Sequence, residues 1–177
     1  MLKRLFPLAV KFFCSFIYSN EDSYLKTYKI LERKFGKIDF ASSCFDFSFT
    51  NYYEKEMGKP LYRRFVSFEK LKDPAEFVAI KLFCIKIEKK LAHDAKRTIN
   101  IDPGYINEGK LVLTTTKDYC HRIYVGCGIF EEVTLYYKDS NFQDLPTTYP
   151  DYKTPEYKEI FLVLREKYRQ QLKNNEK

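Results

Sequence analysis

The feature that does most to limit the fold is the run Leu8-Ala9-Val10-Lys11-Phe12-Phe13-Cys14-Ser15-Phe16-Ile17-Tyr18. It is rich in Phe, Ile and Val and shows no alternating polar face. It therefore reads as a strand that must be covered on both sides. Everything else in the chain has to supply that cover.

The cover is legible in the segments that follow. Ser19-Asn20 caps a helix whose first turn carries Glu21 and Asp22, where the helix dipole favours anions. Tyr24, Tyr28, Leu31 and Phe35 recur at helical spacing, and Gly36 is the expected stop. A second strand is expected over 37–49, where Phe45, Phe47 and Phe49 alternate with Asp46 and Ser48. A polar loop over 51–59 leads to a third strand over 61–68. Asp73-Pro74-Ala75-Glu76 is a capping box with Pro at the first helical position. Phe77, Ile80, Cys84, Ile87 and Leu91 mark the buried face of the helix it starts. Lys81, Lys86, Glu88, Lys89 and Lys90 read as its solvated face.

A short strand over 97–101 comes next, and Asp102-Pro103-Gly104-Tyr105 fits a type II turn. Residues 110–117 suit either a Thr-rich strand or a helix capped by Asn107-Glu108. Segments 121–125 and 129–137 flank Gly126-Cys127-Gly128 as a hairpin. A short strand follows at 142–145, and Thr154-Pro155-Glu156 starts a last helix with Tyr157, Ile160, Phe161, Leu164 and Tyr168 inward. Asn174 onward reads as a fraying tail. The order predicts an α+β fold in a single domain over 1–177, a ferredoxin-like βαββαβ core plus a β-hairpin and a C-terminal helix. That arrangement hosts many functions and selects none.

Charge and cysteine usage narrow the classes. The net charge is +7. Residues 1–40 hold 8 Lys/Arg against 4 Asp/Glu and residues 153–177 hold 7 against 4, while 41–152 hold 16 of each. The excess therefore sits on the two terminal segments, and only the fold could join them into a nucleic-acid-binding face. Lys3-Arg4 before an apolar run has the look of a leader. Pro7 and Lys11 interrupt that run, however, and Phe12-Phe13 leaves no small-residue cleavage site. No apolar stretch is long enough to span a bilayer. The five Cys form no C-x-x-C pair and are expected as free buried thiols in a reducing compartment, which points to the cytoplasm.

The chemistry-bearing residues cluster around Asp118-Tyr119-Cys120-His121-Arg122. His121 could be a general acid/base oriented by Asp102 or Asp118. Neighbours in a strand face opposite ways, so Cys120 and His121 do not form a nucleophile–base pair if the strand begins there. A zinc site drawn from Cys120, His121, Cys127 and Cys44 or Cys84 fits no standard spacing, and no metal is assigned. Arg63, Arg64, Lys110, Lys117 and Arg122, with the hydroxyls of Thr114 to Thr116, could surround a phosphate. No P-loop motif exists among the 6 glycines. Thr116-Lys117-Asp118 lacks one residue of the guanine-reading T-K-x-D pattern, and Asp102-Pro103-Gly104 lacks one residue of D-x-x-G. Two aromatic loops, Tyr52 to Gly58 and Thr148 to Tyr152, could stack bases, grip a partner, or pack down as lids.

Several segments together carry a resemblance. Phe49-Thr50-Asn51-Tyr52-Tyr53-Glu54-Lys55-Glu56-Met57-Gly58, Ile101-Asp102-Pro103-Gly104-Tyr105, Thr115-Thr116-Lys117-Asp118-Tyr119, His121-Arg122-Ile123-Tyr124 and Thr148-Tyr149-Pro150-Asp151-Tyr152 resemble a bacterial family, domain of unknown function 4416, over nearly the whole chain. Some of its members carry the label "GTP-binding protein", so the resemblance implies a nucleotide link and no catalytic residues.

The expectation is a cytoplasmic domain that binds a nucleotide or other phosphate-bearing small molecule, with turnover open. Asp102 would hold a metal or a ribose hydroxyl. Arg63, Arg64, Lys117 and Arg122 would neutralise phosphate, and His121 would serve as acid/base. The alternatives are an RNA- or ribosome-associated module using the basic termini and exposed Tyr, and a protein-interaction domain without ligand. Cofactor and oligomeric state are unassigned.

Overall fold

The structure, a computed structural model, describes residues 6–175. The Lys3-Arg4 pair and the last two residues of the expected tail lie outside them. β1 (Lys11–Tyr18) is buried along all eight residues at the centre of a nine-stranded antiparallel sheet. Side chains alternate across a strand. Phe12, Cys14, Phe16 and Tyr18 therefore join one core cluster, while Phe13 and Ile17 join two others on the opposite face.

The remaining elements are α1 (Glu21–Phe35), β2 (Ile38–Ala41), β3 (Phe45–Asp46), α2 (Glu54–Met57), β4 (Tyr62–Phe68), α3 (Phe77–Leu91), β5 (Ile99–Ile106), β6 (Lys110–Thr115), β7 (Ile123–Gly126), β8 (Ile129–Lys138), β9 (Asn141–Asp144) and α4 (Pro155–Asn175). The strands lie in the order β2-β4-β1-β5-β6-β8-β7, with β3 beside β4 and β9 beside β8. The expected βαββαβ succession runs β1-α1-β2-β4-α3-β5, with β3 and α2 inserted before β4.

α1 and α3 cover one face through Tyr24, Leu31, Phe35, Phe77, Ile80, Cys84 and Ile87. α4 covers the other through Tyr157, Ile160, Phe161 and Leu164. The two terminal basic segments thus contribute helices to opposite faces of the sheet, although Lys11 Nζ reaches Gln171 of α4 at 3.0 Å.

Local signals explain the helix starts. Asn20 Oδ1 accepts from Asp22 N at 2.8 Å, and the Asp73–Glu76 capping box is complete. The second expected strand is broken at Ser42-Ser43-Cys44 into β2 and β3. Residues 110–115 are strand: Asn107 Oδ1 accepts from Gly109 N and Lys110 N, closing a turn rather than capping a helix.

The expected type II turn at Asp102-Pro103-Gly104-Tyr105 is not there. These residues lie inside β5, paired with β1 from Ser15↔Asp102 to Phe12↔Tyr105. Gly104 serves close packing: an added Cβ would lie 2.5 Å from Val112 O and 2.8 Å from Phe13 Cζ. All five Cys are free, and Cys14 and Cys84 are buried as expected, but Cys44, Cys120 and Cys127 are exposed. Among the described residues no helix is long and apolar enough to cross a membrane.

Candidate functional site

The site begins with Pro103. In an extended strand a residue's N–H and C=O point the same way, and Pro103 O accepts from Thr114 Oγ1 at 2.9 Å. The side of Pro103 that lacks an N–H therefore faces β6, to which it can donate no ladder bond. Accordingly β5 and β6 pair only from Gly104↔Leu113 to Ile106↔Leu111. Beyond that point β5 stays with β1, β6 goes on with β8, and the sheet opens.

The opening is a cavity of about 350 Å³. Its walls come from the Phe49–Tyr53 loop, the Thr114–Lys117 segment and the Tyr149–Tyr152 loop, and its floor from β4, β5 and α3. That volume lies within the range of small-molecule sites.

Four cations line it, Arg63, Lys81, Arg97 and Lys117, and so do four carboxylates, Glu88, Asp102, Glu132 and Asp151. Most are tied to one another. Arg63 is 3% exposed; it donates to Asp151 Oδ2 at 2.5 Å and to Ser15 Oγ at 2.9 Å, beneath the Phe47 ring at 4.8 Å. Lys81 Nζ donates to Ile101 O at 2.8 Å and Asp102 Oδ1 at 3.1 Å. Asn100 Nδ2 donates to the other Asp102 oxygen at 2.6 Å, and Asn100 Oδ1 accepts from Arg97, which grips both oxygens of Glu56. Glu88 Oε1 accepts from Ile101 N at 2.6 Å.

Lys117 is different. It is exposed at the mouth, its ammonium 3.9 Å from the centroid of Tyr52, and it has no carboxylate partner among the described residues.

Protonation follows from burial. Burial alone would lower the Lys81 pKa, but Asp102 and Glu88 outweigh it and raise it, so Lys81 is a fixed cation rather than a nucleophile. Burial raises Glu88, against the pull of Lys81. Burial raises the phenol of Tyr53 and pushes that of Tyr149 up to about 12, so both stay neutral hydrogen-bonding groups at ordinary pH.

The residues singled out in the sequence fall into three groups. Asp102, Arg63 and Lys117 meet in the cavity. His121 and Arg122 stand behind its wall. His121 Nε2 is 3.0 Å from Glu132 Oε2, so its carboxylate partner is Glu132 and neither Asp102 nor Asp118. Arg122 donates to Glu132 Oε2 at 2.7 Å, Lys117 O at 3.0 Å and the Tyr149 hydroxyl at 2.5 Å, clamping three wall segments together. Arg64 does not join them. It projects to the α1 face, 4.7 Å over the Tyr24 ring and 3.2 Å from Glu21. Adjacent residues in β4 point opposite ways, which separates it from Arg63. Lys110 opens β6 beside the β5–β6 turn, away from the split. Cys120 is in an exposed turn before β7, and among the described residues no group of three His, Cys, Asp or Glu is placed to hold a metal.

Sequence reasoning placed Lys81 and Glu88 on a solvated face; they are 5% and 6% exposed on the cavity floor. A signal existed. Lys81, Ile85 and Glu88 recur at i, i+4 and i+7, a stripe beside the apolar one. Arg97, Asn100 and Glu132 carry no local signal, and Asp151 stands out only as part of the Thr148–Tyr152 segment of the family resemblance. Both aromatic loops pack against the cavity, with Tyr152 2% and Tyr52 56% exposed.

A family model described as Domain of unknown function (DUF4416) matches residues 8–168 of the chain. No curated protein and no solved structure matches it.

Proposed function

The chain belongs to the DUF4416 family, and we propose that its cavity binds a small molecule joining a planar ring to one phosphate, of the nucleoside monophosphate class. The observation that carries this reading is the charge balance. Of the four lining cations, Arg63, Lys81 and Arg97 are paired with carboxylates, and among the described residues Lys117 has no carboxylate partner. Such a site can neutralise one phosphate; a triphosphate would place several further negative charges against buried carboxylates.

The residues divide the work. Lys117, with the hydroxyls of Thr115 and Thr116, takes the phosphate at the mouth. Tyr52, Tyr53 and Tyr149 offer ring faces and hydroxyls. Asp102, already held by Lys81 and Asn100, accepts from a ligand hydroxyl. Arg122 and His121 act through Glu132 and Tyr149 as positioning residues. The segments that carry the family resemblance supply much of the wall, through residues 49–50, 52–53, 102, 115–117 and 149–152.

The test is a thermal-shift and calorimetric comparison of adenosine and guanosine mono- and triphosphates, the free nucleosides and inorganic phosphate. A ligand at 100 times its dissociation constant adds about 2.7 kcal/mol. For a chain this size that is roughly 5–10 °C. The monophosphates should bind more tightly than the triphosphates, and Lys117→Ala should remove the preference for monophosphate over nucleoside. No binding by any nucleotide, or a triphosphate preference untouched by Lys117→Ala, would overturn the reading.

A further inference from the structure

A second concavity lies on the other face of the molecule, in the groove between α1 and α3. Its volume is about 400 Å³. Ile30, Phe83 and Ile87 form an apolar floor, and Arg33, Lys34, Lys86 and Lys90 form the rim. The residues recur as 30, 33, 34 on α1 and 83, 86, 87, 90 on α3, the spacing of one helix face in each case. No carboxylate lines the groove, and none of the four cations is in an ion pair among the described residues. Lys34 Nζ lies 5.5 Å from the Phe83 ring centroid, and Phe83 meets Phe35 edge-on at 5.6 Å, so the floor is anchored to the core.

We infer that this groove docks an acidic amphipathic helical segment of a partner protein, its apolar side chains on the floor and its carboxylates against the rim. Three features select that occupant. Four like charges without counter-ions match a partner of opposite sign. The floor is carbon, with no donors or acceptors to read base edges, which disfavours RNA. The concavity is lined from Phe83 to Lys90 of α3, a span of eight residues, roughly 10 Å or about two turns. This suits a rod laid into a groove better than a flat bilayer. The inference is independent of the ligand cavity, which opens at the split between β5 and β6.

The experiment is a fluorescence-anisotropy titration of the full chain with a labelled peptide of about four helical turns. The peptide carries Leu along one face and Glu elsewhere. The comparators are a permuted peptide of equal composition without an apolar face, single-stranded RNA, and phosphatidylserine vesicles.

The amphipathic peptide should bind with an affinity that falls as salt rises. The exposed double variant Arg33→Glu/Lys86→Glu should weaken it about tenfold or more at unchanged thermal midpoint. Absence of peptide binding, equal binding by the permuted peptide, or indifference to the double variant would overturn the inference. Tighter binding of RNA or vesicles than of the peptide would do the same and reassign the groove. If the double variant lowers the thermal midpoint, the milder Lys86→Gln/Lys90→Gln variant decides, by a smaller loss in the same direction.

Discussion

The two faces of β1 are built to different rules. Toward α1 and α3, Phe12, Cys14, Phe16 and Tyr18 meet a contiguous apolar and aromatic cluster, with Phe12 stacked on Phe68 at 4.4 Å. Toward α4, Phe13 and Ile17 alternate with Lys11 and Ser15, and each polar residue reaches an ion pair. Lys11 Nζ lies 2.5 Å from Asp39 Oδ2, and Ser15 Oγ accepts from Arg63, which pairs with Asp151. The first face buries carbon and depends little on solution conditions. The second keeps charge inside the molecule, so its contribution depends on every partner being present and correctly ionised. The cavity opens where that second kind of packing continues into β4 and the Tyr149–Tyr152 loop.

Five expectations sharpen this contrast. The largest effect belongs to the apolar face. Phe12→Ala should cost about 3–5 kcal/mol in urea denaturation, nearly independent of pH; a cost below about 1 kcal/mol would mean the stability does not reside there.

On the polar face, Asp151→Asn strands a buried guanidinium and should cost up to about 3–5 kcal/mol. Arg63→Met/Asp151→Leu should recover most of that loss. A double variant no more stable than Asp151→Asn would contradict the assignment of the cost to the uncompensated charge.

Smaller, and of opposite sign, are two titrations. Burial pushes Asp39 up, but hydrogen bonds from Lys11 and Ser67 outweigh it and hold its carboxyl below the ordinary 3.8. Its contribution is present above that value and is lost as pH falls through the lower native value. Glu88 is raised above 4.5, so the native state holds its proton longer and stability falls as pH rises from there. Asp39→Asn should flatten the acid limb of a stability–pH curve, and Glu88→Gln should flatten the decline above about pH 4.5. Curves that superimpose on the parent's would remove either group from the account.

The smallest effect on stability is that of Lys117→Ala, within about 0.5 kcal/mol, because its side chain is exposed at the mouth. If it unfolds the protein instead, Lys117 is part of the frame and not a ligand contact.

What could be read in the sequence divides along the same line. β1, the Asn20 cap, the Asp73 capping box and the hairpin around Cys127 depend on neighbours within a few residues, and all are legible there. Asp102-Pro103-Gly104 reads as a turn because turn propensity is a local preference, and pairing with β1 along the whole of β5 overrides it. Asp102, Arg63 and Lys117 were chosen for their chemistry and do converge. Arg64 was chosen with Arg63 by adjacency, which a strand turns into separation. Glu132 and Asp151 acquire meaning only through partners 10 and 88 residues away, Arg122 and Arg63. No window of sequence contains both members of the longer pair.

The seam beside Pro103 has a mechanical meaning. Across it the two halves of the sheet are stitched by the three residue pairs from Gly104↔Leu113 to Ile106↔Leu111. The Thr114 Oγ1–Pro103 O bond adds one stitch, and beyond it the seam is spanned by whatever fills the gap. A guest held between Asp102 on one side and Thr115 to Lys117 on the other would act as a missing rung of the ladder. It would stiffen the sheet across its width, so that occupancy is felt as far away as the β7 edge.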